Sequence, residues 1–120
     1  MRFTVSCEGR ITEDDGTALA PDELESILDA VMEQMETLEG IEDPDINATL
    51  VTGQVRLSVD VAGQPSEAAY VLGSRRIRAA LHAAMIATPG WEDAESAQLT
   101  KSRGSIKADQ ITVRRQLVDA

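Results

Sequence analysis

Aromatic side chains are nearly missing from this 120-residue chain, in which Phe3, Tyr70 and Trp91 are the only three. A core made without them has to be aliphatic and alanine-rich. Small side chains each remove less area from water, at about 25 cal/mol per Å², so burying further surface against a second copy is expected to help, and a homodimer is predicted. The same lack weighs against RNA recognition, which in open-faced sheets relies on exposed rings that stack on bases. Cys7 is the single cysteine and His82 the single histidine. Together they exclude an intrachain disulfide, a CxxC motif and a paired zinc site, and leave few means of activating a nucleophile.

Other signatures are absent as well. There is no Gly-rich phosphate loop, GxSxG elbow or HExxH motif. No catalytic residue, cofactor or metal site is therefore expected, and Tyr70 and Asp60 are the groups to inspect first for carboxylate or tyrosine chemistry. No run approaches the roughly 18 apolar residues of a membrane span, and the N-terminus enters a strand pattern without a basic and then apolar leader. These features predict a cytoplasmic protein without membrane contact.

What is present is acid, unevenly placed. Fourteen of the 21 acidic residues fall within the first 45 positions beside only Arg2 and Arg10, giving −12 there against +2 in the remainder. A dense field of one sign repels polyanions and attracts cations, so direct nucleic-acid binding is disfavoured and a basic protein becomes the natural partner. The clusters Glu13-Asp14-Asp15 and Asp43-Pro44-Asp45-Ile46-Asn47 do not make calcium loops. Counted from Asp43, the glycine and bidentate glutamate positions of an EF-hand hold Ala48 and Gln54.

Hydrophobic periodicity gives the architecture. Phe3, Val5 and Cys7 alternate with polar neighbours and predict a strand, followed by a long exposed connection over residues 9–20. Pro21 with Asp22 and Glu23 opens a helix over residues 21–39, whose stripe is Leu24, Ile27, Leu28, Val31, Met35 and Leu38, ended by Gly40. A hairpin follows over residues 46–61, and its pattern favours a two-residue Thr52-Gly53 loop with Val51 opposite Gln54. A second helix over residues 66–87 places Tyr70, Gly73, Ile77, Ala80, Leu81 and Ala84 inward and stops at Thr88-Pro89-Gly90, with Trp91 folding back as a cap. Residues 92–104 read as a long mobile loop, in which a short strand near residues 98–101 is the one alternative. Residues 110–118 give a last strand, and the spacing singles out Phe3, Val5, Leu28, Val31, Leu57, Val59, Ile77, Leu81 and Val113 as buried core. The order β-α-β-β-α-β within a single α+β domain spanning residues 1–120 predicts a ferredoxin-like fold: two helices on one face of a four-stranded antiparallel sheet of order 4-1-3-2.

The run Ile77-Arg-Ala-Ala-Leu-His-Ala-Ala-Met-Ile-Ala-Thr-Pro-Gly-Trp91 resembles a segment of short uncharacterised proteins from high-GC Gram-positive bacteria. In these an IR-x-A-hydrophobic-HAA stretch and a terminal TPGW follow a TG-linked hairpin similar to residues 48–61. The resemblance covers about half the chain and implies the same architecture, with no activity attached.

Two side-chain groups are candidates for contact. Asp22, Glu25, Asp29, Glu33 and Glu36 step by three and four along the first helix and form an acidic stripe roughly 21 Å long at 1.5 Å per residue. Like charges at such spacings cost about 0.2–0.5 kcal/mol each where mixed charges would stabilise, so the stripe calls for an explanation: a solvated face of an acidic protein, pairing with Arg75, Arg76 and Arg78 of the second helix, or a basic partner. Arg75, Arg78 and His82 share a helical face and form a weaker anion-binding candidate. The expectation that follows is a non-enzymatic, homodimeric interaction module whose acidic helix surface takes a basic protein. The alternative is a small-ligand-binding regulatory domain with a pocket between sheet and loops.

Overall fold

The alternation of Phe3, Val5 and Cys7 with Thr4, Ser6 and Glu8 produces β1 (Arg2–Arg10), buried at every odd position and half-buried at every even one. The computed structural model describes residues 2–88, 103–106 and 112–119. Further elements are α1 (Pro21–Thr37), β2 (Glu42–Thr49), β3 (Gln54–Ala62), α2 (Ser66–Ala83), the two-residue strands β4 (Ile86–Ala87) and β5 (Gly104–Ser105), and β6 (Thr112–Asp119). The main sheet runs β2-β3-β1-β6 with every neighbouring pair antiparallel. This is the expected order, and both helices lie over the same face, α2 across β1 and β3 and α1 beside α2 and β2.

The core is aliphatic, as the composition requires. Val5, Cys7, Leu57, Val59 and Val61 from the sheet meet Leu24, Ile27, Val31 and Met35 of α1 and Ile77 and Leu81 of α2, all within one buried cluster. Val113, expected inside, is only half-buried, because β6 is an edge strand.

The structure departs from the sequence expectation in four places. The hairpin loop has four residues, since Thr49 rather than Val51 lies opposite Gln54 and Ala48 rather than Leu50 lies opposite Val55. The Thr49 carbonyl accepts from both Thr52 and Gly53, at 3.2 and 2.9 Å. That α-turn is closed by Gly53 at φ +81, where a Cβ would lie 2.8 Å from the Ile11 carbonyl oxygen. Second, α2 stops at Ala83 rather than at residue 87. Ala84 and Met85 donate to the carbonyls of Leu81 and His82 at 3.1 and 2.9 Å, and Met85 adopts φ 68. The chain thereby leaves the helix and sends Ile86 into the core, in parallel pairing with Gly104.

Third, α1 ends at Thr37, two residues early, and β2 begins at Glu42 rather than Ile46. Fourth, the connection after β1 is not exposed throughout. Ile11 is fully buried and donates to the Gly53 carbonyl at 3.0 Å, while buried Thr12 bridges to Ser105 and Ala18. The Trp91 cap, the strand near residues 98–101, Gln110 at the head of the last strand and most of the loop over residues 92–104 lie outside the described residues.

Gly73 on α2 lies directly above Val5, and a Cβ there would come within 2.6 Å of the Val5 Cβ and 2.7 Å of its Cγ2. Gly73→Ala improves helix propensity by about 1 kcal/mol. The β-branched Val5 of a central strand has no room to turn aside, so overpacking of about 1–3 kcal/mol is expected to prevail and lower stability in urea titration. Leu57→Ala, at a fully buried position of β3, is expected to cost about 2–5 kcal/mol in the same measurement.

Candidate functional site

Helical spacing sets the acidic stripe. With Leu24, Ile27, Leu28, Val31 and Met35 buried on one side of α1, Asp22, Glu25, Asp29, Glu33 and Glu36 all stand exposed on the other. The helix opens with Pro21 at its first position and Asp22 and Glu23 in its first turn, and its last turn holds no basic residue. Among the described residues none of the five stripe carboxylates makes an ion pair. The neighbouring Glu23 does, with Arg103 at 3.4 Å, and Arg103 also donates to the Ser26 hydroxyl at 3.1 Å. Internal neutralisation by α2 is not what the geometry shows. Arg76 donates to the Glu39 backbone carbonyl at 3.0 Å, and Arg78 turns to Thr88.

Arg75, Arg78 and His82 do not share one solvated face. Arg75 is exposed, but Arg78 is buried and His82 half-buried. Arg78 Nε donates to Thr88 Oγ1 at 3.3 Å, and His82 Nε2 lies 2.7 Å from the same oxygen. The hydroxyl can accept from the guanidinium and donate to a neutral imidazole, so each polar atom at this point is satisfied. Burial first, and the Arg78 charge second, hold the His82 pKa below its ordinary value. The sequence did not reveal Thr88 because it lies beyond the helix, outside any helical spacing from Arg78.

A second polar group sits on the open face of the sheet. Arg2 Nε donates to Asp60 Oδ2 at 3.0 Å and Thr4 Oγ1 to Asp60 Oδ1 at 2.6 Å. The Arg2 guanidinium also meets Asp43 and lies 3.6 Å from Glu42, and its pKa is raised chiefly by the hydrogen bond to Asp60. Thr4 and Asp60 are directly opposite in the β1–β3 ladder, a relation that strand alternation could have suggested. Tyr70 lies on the helix side beneath Arg115, whose guanidinium carbon is 5.3 Å from the ring centroid. Asp60 and Tyr70 are thus on opposite faces and share no cleft.

A shallow, wide-open depression of about 380 Å³ lies at the other end of the open face, lined by Glu8, Asn47, Ala48, Thr49, Gln54, Val55 and Arg56. Cys7 is buried, and burial pushes its thiol up to about 12, which leaves no thiolate at neutral pH. Among the described residues no three His, Cys, Asp or Glu side chains gather into a metal-sized group, and no helix is long and apolar enough to cross a membrane.

No family model matches the chain, and no curated protein matches it. Solved structures do. A dimeric ferredoxin-like protein of unknown function from Thermobifida fusca superimposes with a TM-score of 0.52 over 98% of this chain and 92% of that one, at 14% identity. The fold is ferredoxin-like. The structure of Rv0793 from Mycobacterium tuberculosis covers 100% of this chain and 99% of its own at 14% identity, with a TM-score of 0.44.

In this ferredoxin-like frame the Arg78–Thr88–His82 group ties the end of α2 to β4 and predicts a pH dependence. The unfolded chain takes up a proton near the ordinary histidine pKa of 6.5, while the folded state resists it. Stability is therefore full above that pH and declines as pH falls through and below it. Urea titrations between pH 8 and 5 are expected to show this slope, and His82→Gln to flatten it.

Proposed function

We propose that this chain is a non-enzymatic, cytoplasmic association module that pairs with a second copy of itself and presents the acidic face of α1 to a basic protein. The observation that carries the partner reading is the solvent position of Asp22, Glu25, Asp29, Glu33 and Glu36, without an ion pair among the described residues. Uncompensated like charge at helical spacing costs stability, and a cationic surface is the counterpart that offsets it. Self-association draws support from the aromatic-poor core, from the exposed Val71 and Leu117, at 43% and 50%, and from the dimeric state of the Thermobifida fusca protein.

The alternative, a small-ligand domain, has the depression beside Glu8 and Arg56 in its favour. Its open form buries little of a ligand, whereas small-molecule sites enclose most of theirs. A flat, charged exterior fits association better.

Reversing Asp29 and Glu33 to lysine tests the partner reading. The double variant is expected to keep or raise the thermal midpoint by relieving repulsion. It should also weaken capture of a lysine- and arginine-rich partner and lessen its salt sensitivity, because exposed charges act within about 8 Å at physiological salt. A lowered midpoint with capture unchanged would assign the stripe to internal pairing. Light scattering tests self-association, with twice the 12.9 kDa chain mass expected.

A further inference from the structure

The two edges of the sheet are chemically unlike. β2 carries Pro44, a pairing irregularity between Glu42 and Asp45, Asp43 at φ 47, and the three carboxylates Glu42, Asp43 and Asp45. Proline, bulges and charge are the devices that stop an edge strand from pairing. β6 has no proline, its register against β1 is regular from Phe3–Leu117 to Glu8–Thr112, and its only carboxylate is the terminal Asp119. Its arginines do not screen that edge equally, since Arg115 is drawn over the Tyr70 ring on the helix side. Leu117, opposite Phe3, is 50% exposed. Among the described residues nothing pairs with the outer side of β6.

We propose that β6 pairs antiparallel with β6 of a second copy across a two-fold axis at Gln116, joining two four-stranded sheets into one of eight strands. The proposal rests on the self-association reading above and names its interface. Charge and strand regularity together favour one register. In an antiparallel pair about a two-fold axis, one residue faces its own copy and residues equidistant from it face each other, because paired side chains point to the same side. Centring on Arg114 or Arg115 brings two guanidinium groups together, and like charges directly opposite are destabilising. Centring on Leu117 runs the innermost pairs into the irregularity that precedes Asp119. Centring on Gln116 sets Arg115 opposite Leu117, so that the arginine stem covers exposed apolar surface. It also sets two carboxamides face to face, each able to donate and accept.

Cysteine cross-linking in the otherwise intact protein decides the matter, since Cys7 is 1% exposed and stays out of the reaction. Side chains facing each other in such a pair have Cβ atoms about 4.5–5.5 Å apart, within reach of a disulfide after small adjustment. At concentrations where light scattering gives a dimer, Gln116→Cys is expected to form a linked dimer under mild oxidation about tenfold faster than Arg114→Cys. Gln116→Lys is expected to weaken dimerisation about fivefold with an unchanged circular dichroism spectrum. A dimer that links no faster through Gln116→Cys than through Arg114→Cys, or one indifferent to Gln116→Lys, overturns the β6 interface and leaves self-association standing. A monomer at every concentration overturns both.

Discussion

α2 can rest on the sheet only because Gly73 has no side chain. Val5 of the central strand β1 occupies the place where a Cβ would stand, and this near-contact between backbone and valine sets the height of the helix layer. At that height Ile77 and Leu81 reach the sheet and alanines at 69 and 80 suffice to close the remaining space. The shortage of aromatics is thus matched by a geometry that has no room for them. Interiors pack at crystal-like density, and an alanine-rich helix reaches that density only when brought this near.

The kinds of element and the faces they bury were legible because both depend on periodicity. Eight of the nine side chains singled out as core by their spacing, Phe3, Val5, Leu28, Val31, Leu57, Val59, Ile77 and Leu81, are buried. The hairpin register was not legible for a reason of the same kind. Alternation fixes only the parity of a strand, and a shift of two residues returns every side chain to its face. Turn chemistry at Gly53, where the backbone of Ile11 excludes a side chain, made the choice. The end of α2 was hidden because Ala83-Ala84-Met85-Ile86 is good helical sequence. What ends the helix is tertiary, the burial of Ile86 and its pairing with Gly104, reinforced by the bias of Pro89 against helical geometry in Thr88.

The candidate sites divide along the same line. A stripe of exposed acids follows from helical spacing alone, so Asp22 to Glu36 could be placed in advance. Arg78 could not be. Charged residues are expected in water, and the hydroxyl to which this buried guanidinium donates belongs to Thr88, ten residues later and beyond both the helix and β4. Arg2 likewise owes its position to Asp60, 58 residues away. Long-range polar pairing leaves no periodic trace, whereas the five stripe carboxylates make no ion pair among the described residues, and two of the arginines of α2 named as their internal partners, Arg76 and Arg78, are held instead by a backbone carbonyl and a threonine.

These arrangements leave the molecule electrically polarised across its sheet. α1 packs beside β2, so the stripe and Glu42, Asp43 and Asp45 gather on one flank, while Arg114 and Arg115 lie at the other end of the order β2-β3-β1-β6. Two copies meeting through their acidic flanks would repel, whereas contact through β6 keeps those carboxylates apart. A dimer joined at β6 carries its two acidic faces at opposite ends. A basic partner with two binding segments could then engage both, and the second contact would be governed by effective concentration rather than by new affinity. On the proposed reading, self-pairing at β6 and recognition at the acidic flank would be one device, with the separation between the two faces set by the width of the joined sheet.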